Sequence, residues 1–172
     1  MKKHFLVVFI LLHYTFCFSQ NVGISTTNPE FKLDVRNGSI NTDSVYRIGT
    51  ITVLAVPGTG NLFIGKESGR INTGLDNTFS GDQAGYSNSA GIDNSFFGRS
   101  AGYSNINGSA NAFFSGSAGY SNISGSYNSF FGGATGYSNT SGFDNSFFGL
   151  NAGYSNISGN SNSFFGRSAG YN

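Results

Sequence analysis

Three aspartates, Asp76, Asp93 and Asp144, share one column of a 17-residue period with Ala110, Tyr127 and Ser161. Stacked carboxylates can ligate calcium through oxygen, and a pair of them can hydrolyse a glycosidic bond. Ala110 and Tyr127 interrupt this column, and the Gly-Asp nonapeptide of calcium-binding β-rolls is absent. No spacing selects a catalytic pair, so the column reads as a solvated turn. Gly60-Asn61-Leu62-Phe63-Ile64-Gly65-Lys66 imitates a phosphate-binding loop. That loop needs Ser or Thr after the lysine to hold magnesium, and a helix behind it. Glu67 follows instead, and the segment falls on the repeat register, so it reads as a capping rung. Asn122-Ile123-Ser124, Asn139-Thr140-Ser141 and Asn156-Ile157-Ser158 match the N-glycosylation acceptor. A repeat rich in Asn and Ser generates such matches without selection for them.

The N-terminus reads as an export signal. Lys2 and Lys3 precede an apolar run from Phe5 to Leu12, and a polar stretch ends at Ser19-Gln20. The run falls far short of the roughly 20 residues that span a bilayer and suits a secretory peptide cleaved after Gln20, with Ser19 as the alternative. His4, His13 and Cys17 all lie inside it, so the mature chain has no His, Cys or Trp. No disulfide framework forms, and histidine chemistry is excluded. Of nine basic residues, removal of Lys2 and Lys3 leaves seven against eight acidic ones. No basic stripe is present, which argues against nucleic acid as a partner. A polysaccharide-cleaving β-helix enzyme is disfavoured on the same grounds: no His and few charges.

Charged residues make up only 10% of the chain and glycines number 26, a composition that suits linkers. Aromatics, however, reach 16% and recur at fixed positions. Disordered segments lack such residues, because they cannot offset chain entropy by burial. The elements that carry the columns above are therefore folded.

The segment 21–60 reads as a β leader. Asn28-Pro29 marks a turn, Phe31 to Val35 alternates as a half-buried strand, and Asn37-Gly38 suits a hairpin turn. Thr50 to Val56 reads as another strand, ended by Pro57-Gly58. Residues 61–172 form about seven repeat units. The first, from Asn61, is degenerate and lacks one residue between Asn72 and Gly74. The last stops at Asn172 partway through a unit, and the expectation is that further chain or another segment covers this end. A fixed short period is the signature of a solenoid. The fold expected is all-β, a parallel β-roll or β-helix.

Each unit sets two aromatics side by side: Phe96-Phe97, Phe113-Phe114, Phe130-Phe131, Phe147-Phe148 and Phe164-Phe165, with Phe79-Ser80 in the first full unit. Adjacent residues of a strand point to opposite faces. One phenylalanine column therefore faces inward and the other outward. Leaving the outer column in water forfeits roughly 1.5–3 kcal/mol per ring, so self-association is expected. Tyr86, Tyr103, Tyr120, Tyr137, Tyr154 and Tyr171 form a further column able to stack at about 4.8 Å per rung. The glycines before each tyrosine and the column Gly91, Gly108, Gly125, Gly142 and Gly159 read as corners, where glycine tolerates positive φ. Asn77 through Asn162 form a column suited to amide ladders. Six rungs at that spacing give a rod of about 30 Å.

The units N(S/T)FFGxxAGYSNxxGxx resemble the head repeats of YadA-like trimeric autotransporter adhesins. They are more similar still to the variant found in exported Bacteroidota proteins and phage-type tail-fibre proteins. The leader Asn21-Val22-Gly23-Ile24-Ser25-Thr26-Thr27-Asn28-Pro29, followed by Lys32-Leu33-Asp34-Val35, resembles the segment ahead of such repeats. The resemblance implies a left-handed β-roll that assembles as a homotrimer at a cell or virion surface, with an adhesive or display role. It implies no cofactor, no metal and no catalytic residue. The expected function is that of an exported, structural and adhesive fibre segment, secreted or at the cell surface or outer membrane. Its expected partners are its own copies and a host-surface glycan or protein. Membrane attachment is expected only through an anchor outside this sequence. The alternative is a tail-fibre-like receptor- or glycan-binding module that precedes a chaperone domain. The paired phenylalanines and Tyr103, Tyr120, Tyr137 and Tyr154 are the expected ladder and interface residues.

Overall fold

The computed structural model describes residues 22–24, 33–35, 45–48, 51–57 and 59–172. The export signal, the Asn28-Pro29 and Asn37-Gly38 turns and the first half of the Phe31–Val35 strand lie outside the described residues. The chain divides into two compact units, residues 1–41 and 42–172. In the first, β1 (Val22–Ile24) pairs in parallel with β2 (Leu33–Val35), aligning Val22 with Leu33.

The second unit is an all-β parallel solenoid of about six turns. Seven three-residue strands bound these turns: β5 (Leu62–Ile64), β6 (Thr78–Ser80), β7 (Ser95–Phe97), β8 (Ala112–Phe114), β9 (Ser129–Phe131), β10 (Ser146–Phe148) and β11 (Ser163–Phe165). Neighbouring strands pair in parallel, in register, so that Phe96 lies on Phe113 and Phe97 on Phe114. The register advances by 17 residues from Thr78 to Ser95. It advances by 16 from Leu62 to Thr78, where the sequence loses one residue. At the N-terminal side two strands from the leader close the sheet. These are β3 (Val45–Ile48) and β4 (Ile51–Ala55), the latter within the strand expected from Thr50 to Val56. Both pairings, β3 with β4 and β4 with β5, are antiparallel. An antiparallel pair thus covers one edge of the parallel stack, the edge that would otherwise expose a row of unpaired backbone groups.

The rest of each turn is irregular, yet its backbone pairs up and down the stack. The Gly102 amide donates to Ala118 O at 3.0 Å, Ser104 to Tyr120 O at 3.0 Å, and Gly98 back to Ser80 O at 2.8 Å. Irregular backbone is tolerated next to a core only when its polar groups find partners. Here the repeat itself supplies them, because every turn is the template for the next.

The core is narrow. Phe63, Phe79, Phe96, Phe113, Phe130 and Phe147 are buried, together with Ala84, Ala101, Ala118 and Ala152. The inner rings stack at 4.8–5.0 Å. Thr135 takes the alanine position in one rung and donates its hydroxyl to Gly149 O at 2.6 Å, which satisfies a group that burial would otherwise penalise.

The remaining interior is polar, and two asparagine columns fill it. In the first, the Asn77 Oδ1 accepts the Asn94 amide of the next rung at 3.0 Å, and Asn94, Asn111 and Asn128 repeat the bond. The second comprises Asn88, Asn105, Asn122, Asn139 and Asn156. There each side-chain amide donates to the Oδ1 of the rung below, as Asn105 does to Asn88 at 2.6 Å and Asn122 to Asn105 at 2.7 Å. Both columns converge on one carbonyl per turn: Gly108 O accepts Asn94 Nδ2 and Asn105 Nδ2, each at 2.9 Å. Among the described residues no buried side-chain nitrogen or oxygen lacks a partner.

One of the two glycine columns departs from expectation. The glycines before each tyrosine do sit at positive φ, 59° at Gly102. Those of the Gly91 column do not; they are glycine for want of space. A Cβ on Gly108 would lie 2.3 Å from Gly125 O and 2.4 Å from Asn105 Oδ1.

Candidate functional site

Two aromatic ladders reach the surface. The first is the outward phenylalanine column: Phe97, Phe114, Phe131, Phe148 and Phe165. The strand pleat separates it from the inward column of Phe96, Phe113, Phe130, Phe147 and Phe164, as the side-by-side pairs require. Its rings stack at 4.7–5.0 Å, within 9° of parallel. Stacking changes the energetics expected of this column. Ring faces cover one another, so Phe97, Phe131 and Phe148 keep only 36–37% of their surface in contact with solvent. The forfeit to water is therefore smaller than that of isolated rings, and what remains is a continuous stripe of ring edges. Ile64 and Ser80 continue the column on the first two turns.

The second ladder is Tyr86, Tyr103, Tyr120, Tyr137, Tyr154 and Tyr171, stacked at 5.0–5.1 Å. Arg70 holds the equivalent place on the first turn. Its guanidinium lies over the Tyr86 ring, 5.3 Å from the centroid, and donates to the Tyr86 hydroxyl. A planar cation thus takes the place of a ring, as cation–π geometry allows. Among the described residues, the hydroxyls of Tyr103, Tyr120, Tyr137 and Tyr154 have no protein partner, and none is a buried unpaired atom. They face solvent in a regular row. Burial, together with Tyr120 and Tyr154 on either side, raises the Tyr137 phenol above its ordinary value. Because ring faces are occupied by neighbouring rings, this ladder offers hydroxyls and ring edges, not open aromatic platforms.

The other candidates occupy structural places. The phosphate-loop look-alike is strand β5 with its flanks. Leu62 donates its amide to Asn77 O at 2.8 Å and Gly65 to Val53 O at 3.1 Å. Amides that would cradle a phosphate are consumed by the sheet. Asp76, Asp93 and Asp144 are exposed at φ of 55–56°, a conformation shared by Ala110, Tyr127 and Ser161. Aspartate tolerates this left-handed region better than most residues, so turn geometry accounts for the column. Among the described residues no group of three metal-ligating side chains forms.

The acceptor-like asparagines Asn122 and Asn139 are fully buried and belong to the second amide column. Sequence reading identified the column from Asn77 to Asn162 but missed this one. The signal was present: an asparagine two residues after Tyr86, Tyr103, Tyr120, Tyr137 and Tyr154, constant in a chain that varies its exposed positions freely.

No protein-family model, no curated protein and no solved structure matches the chain.

Proposed function

We propose that the protein is an exported surface-fibre segment with a structural and adhesive role, working as a left-handed homotrimeric β-roll. The observation that carries this reading is the outward phenylalanine stripe. Five stacked rings, Phe97 to Phe165, present an unbroken apolar edge along the sheet. Monomeric surfaces rarely keep such stripes in water, and packing them between identical chains removes them. Light scattering on the exported chain tests the assembly: three copies are expected, and a stable, soluble monomer overturns it. Phe131→Ser with Phe148→Ser, copying Ser80 of the same column, is expected to dissociate the assembly while the fold survives.

A second reading, a glycan-binding module, is favoured by the solvent-facing row of tyrosine hydroxyls. A glycan array comparing the chain with a Tyr120→Ala/Tyr137→Ala variant separates the two, since a pure scaffold gives no specific signal.

A further inference from the structure

We infer that the tyrosine ladder binds one extended, neutral, β-1,4-linked polysaccharide chain laid parallel to the solenoid axis, one sugar ring per turn. The inference rests on the glycan-binding reading and names its ligand class.

The argument starts from spacing. Tyr86 to Tyr171 repeat at 5.0–5.1 Å over six turns without interruption. A fully extended β-1,4-linked pyranose chain, as in cellulose or chitin, advances by close to the same distance per residue. Successive sugars of such a chain are turned by half a turn, so it presents a hydroxyl-bearing edge to every ring, the C2/C3 and C6 sides in alternation, and the match does not drift along the ladder. Helical α-1,4 chains and coiled β-1,3 chains advance differently and fall out of step after one or two rungs.

The chemistry of the row supports the same ligand. Each free tyrosine hydroxyl both donates and accepts, as does each sugar hydroxyl. Open ring faces, on which isolated sugars commonly stack, are covered by the neighbouring rings of the ladder. Recognition must therefore come from repeated hydrogen bonds along an edge, weak singly and effective only in series. The ring stack holds each hydroxyl in place before binding, which lowers the ordering cost. Charge selects neutrality: beyond Arg70, which closes the ladder at its first turn, no ladder position carries a charged side chain.

The test is calorimetric titration of the whole exported chain with cello- and chito-oligosaccharides, from the disaccharide to the hexasaccharide. Malto- and laminari-oligosaccharides of equal length serve as comparators. Affinity is expected to rise with each added residue in the β-1,4 series and to stay flat in the others. The two β-1,4 series also distinguish glucan from chitin as the source. Tyr120→Phe with Tyr137→Phe keeps the stack and removes two hydroxyls. It is expected to weaken hexasaccharide binding on the order of tenfold. Asp144→Ser, on an exposed turn, is expected to leave binding unchanged. Equal binding of all linkages, or no loss in the phenylalanine variant, overturns the register match while sparing the glycan-binding reading. Absence of binding to any of the sugars overturns both.

Discussion

The Cα of Gly102 stands so close to the inward ring of Phe96 that a Cβ there would lie 2.4 Å from the ring's Cε2. The same approach recurs at Gly85 with Phe79, Gly119 with Phe113, Gly136 with Phe130 and Gly153 with Phe147. Two demands meet at this glycine: a φ of 59° and an edge-on contact with a buried ring. Gly102→Ala is expected to destabilise the solenoid by about 3 kcal/mol, combining overpacking with left-handed strain. Urea denaturation followed by tyrosine fluorescence measures it, and a loss under about 1 kcal/mol would show that the ring moves aside freely.

Asn122 donates to Asn105 Oδ1 at 2.7 Å and Gly125 O at 2.9 Å, and its own Oδ1 accepts from Asn139 at 2.9 Å. Asn122→Asp replaces the donor with an oxygen facing two acceptors and buries a charge. A loss of about 3 kcal/mol or more is expected at neutral pH. The loss should shrink as the carboxyl is protonated in acid, since a protonated acid restores one donor. Thermal melts of the variant against the parent chain at neutral and acidic pH check this. The same burial predicts that Asn122 and Asn139 stay unmodified when the folded chain meets a glycosylating system, which mass spectrometry reads directly.

Ser115 occupies a position where the other turns have glycine. Its φ is 120°, against 133° at Gly98 and 140° at Gly132. A side chain in this region is strained by roughly 1–3 kcal/mol, partly offset by the lower entropy cost of ordering a non-glycine residue. Ser115→Gly is expected to stabilise the fold by about 1 kcal/mol. The midpoint of urea unfolding should move upward with an unchanged slope; a downward shift would contradict the strain.

Alkaline pH should weaken the tyrosine ladder. Burial, with Tyr120 and Tyr154 beside it, raises the Tyr137 phenol above its ordinary value of 10.0 in the folded chain. As pH rises past 10.0, the unfolded chain loses this proton first, while the folded chain keeps it. The unfolded state then binds fewer protons, so stability falls with increasing pH. The contribution is fully present below that range and lost within it. Melting temperature across this range is expected to drop less steeply for Tyr137→Phe than for the parent chain. Phenolate absorbance gives the titration independently.

The solenoid, its period and the alternation of the paired phenylalanines were legible because they follow from local chemistry repeated at a fixed interval. The strand pleat sends Phe96 and Phe97 to opposite faces whatever lies around them. The shortened first unit was equally visible: a residue missing between Asn72 and Gly74 appears as the 16-residue step from Asn72 to Asn88. The strand from Ile51 to Ala55 announced itself through β-branched residues. Its antiparallel pairing with β5 did not, since strand direction depends on which edge is open, not on composition.

Sequence by itself thus determined that this chain stacks, at what interval, and which residues form columns. Tertiary structure alone decided what each column is for. Asn122 in isolation is a polar residue on a turn and a glycosylation match; only the rungs above and below supply the amides that make it core. Gly91 and Gly102 are indistinguishable as letters. The structure makes Gly91 a matter of room alone, and Gly102 a matter of room and of positive φ together. The outward rings of Phe114 and Phe131, costly alone, cover each other at 4.7 Å. In each case the deciding partner lies a full turn away, and burial and hydrogen bonding are properties of the pair.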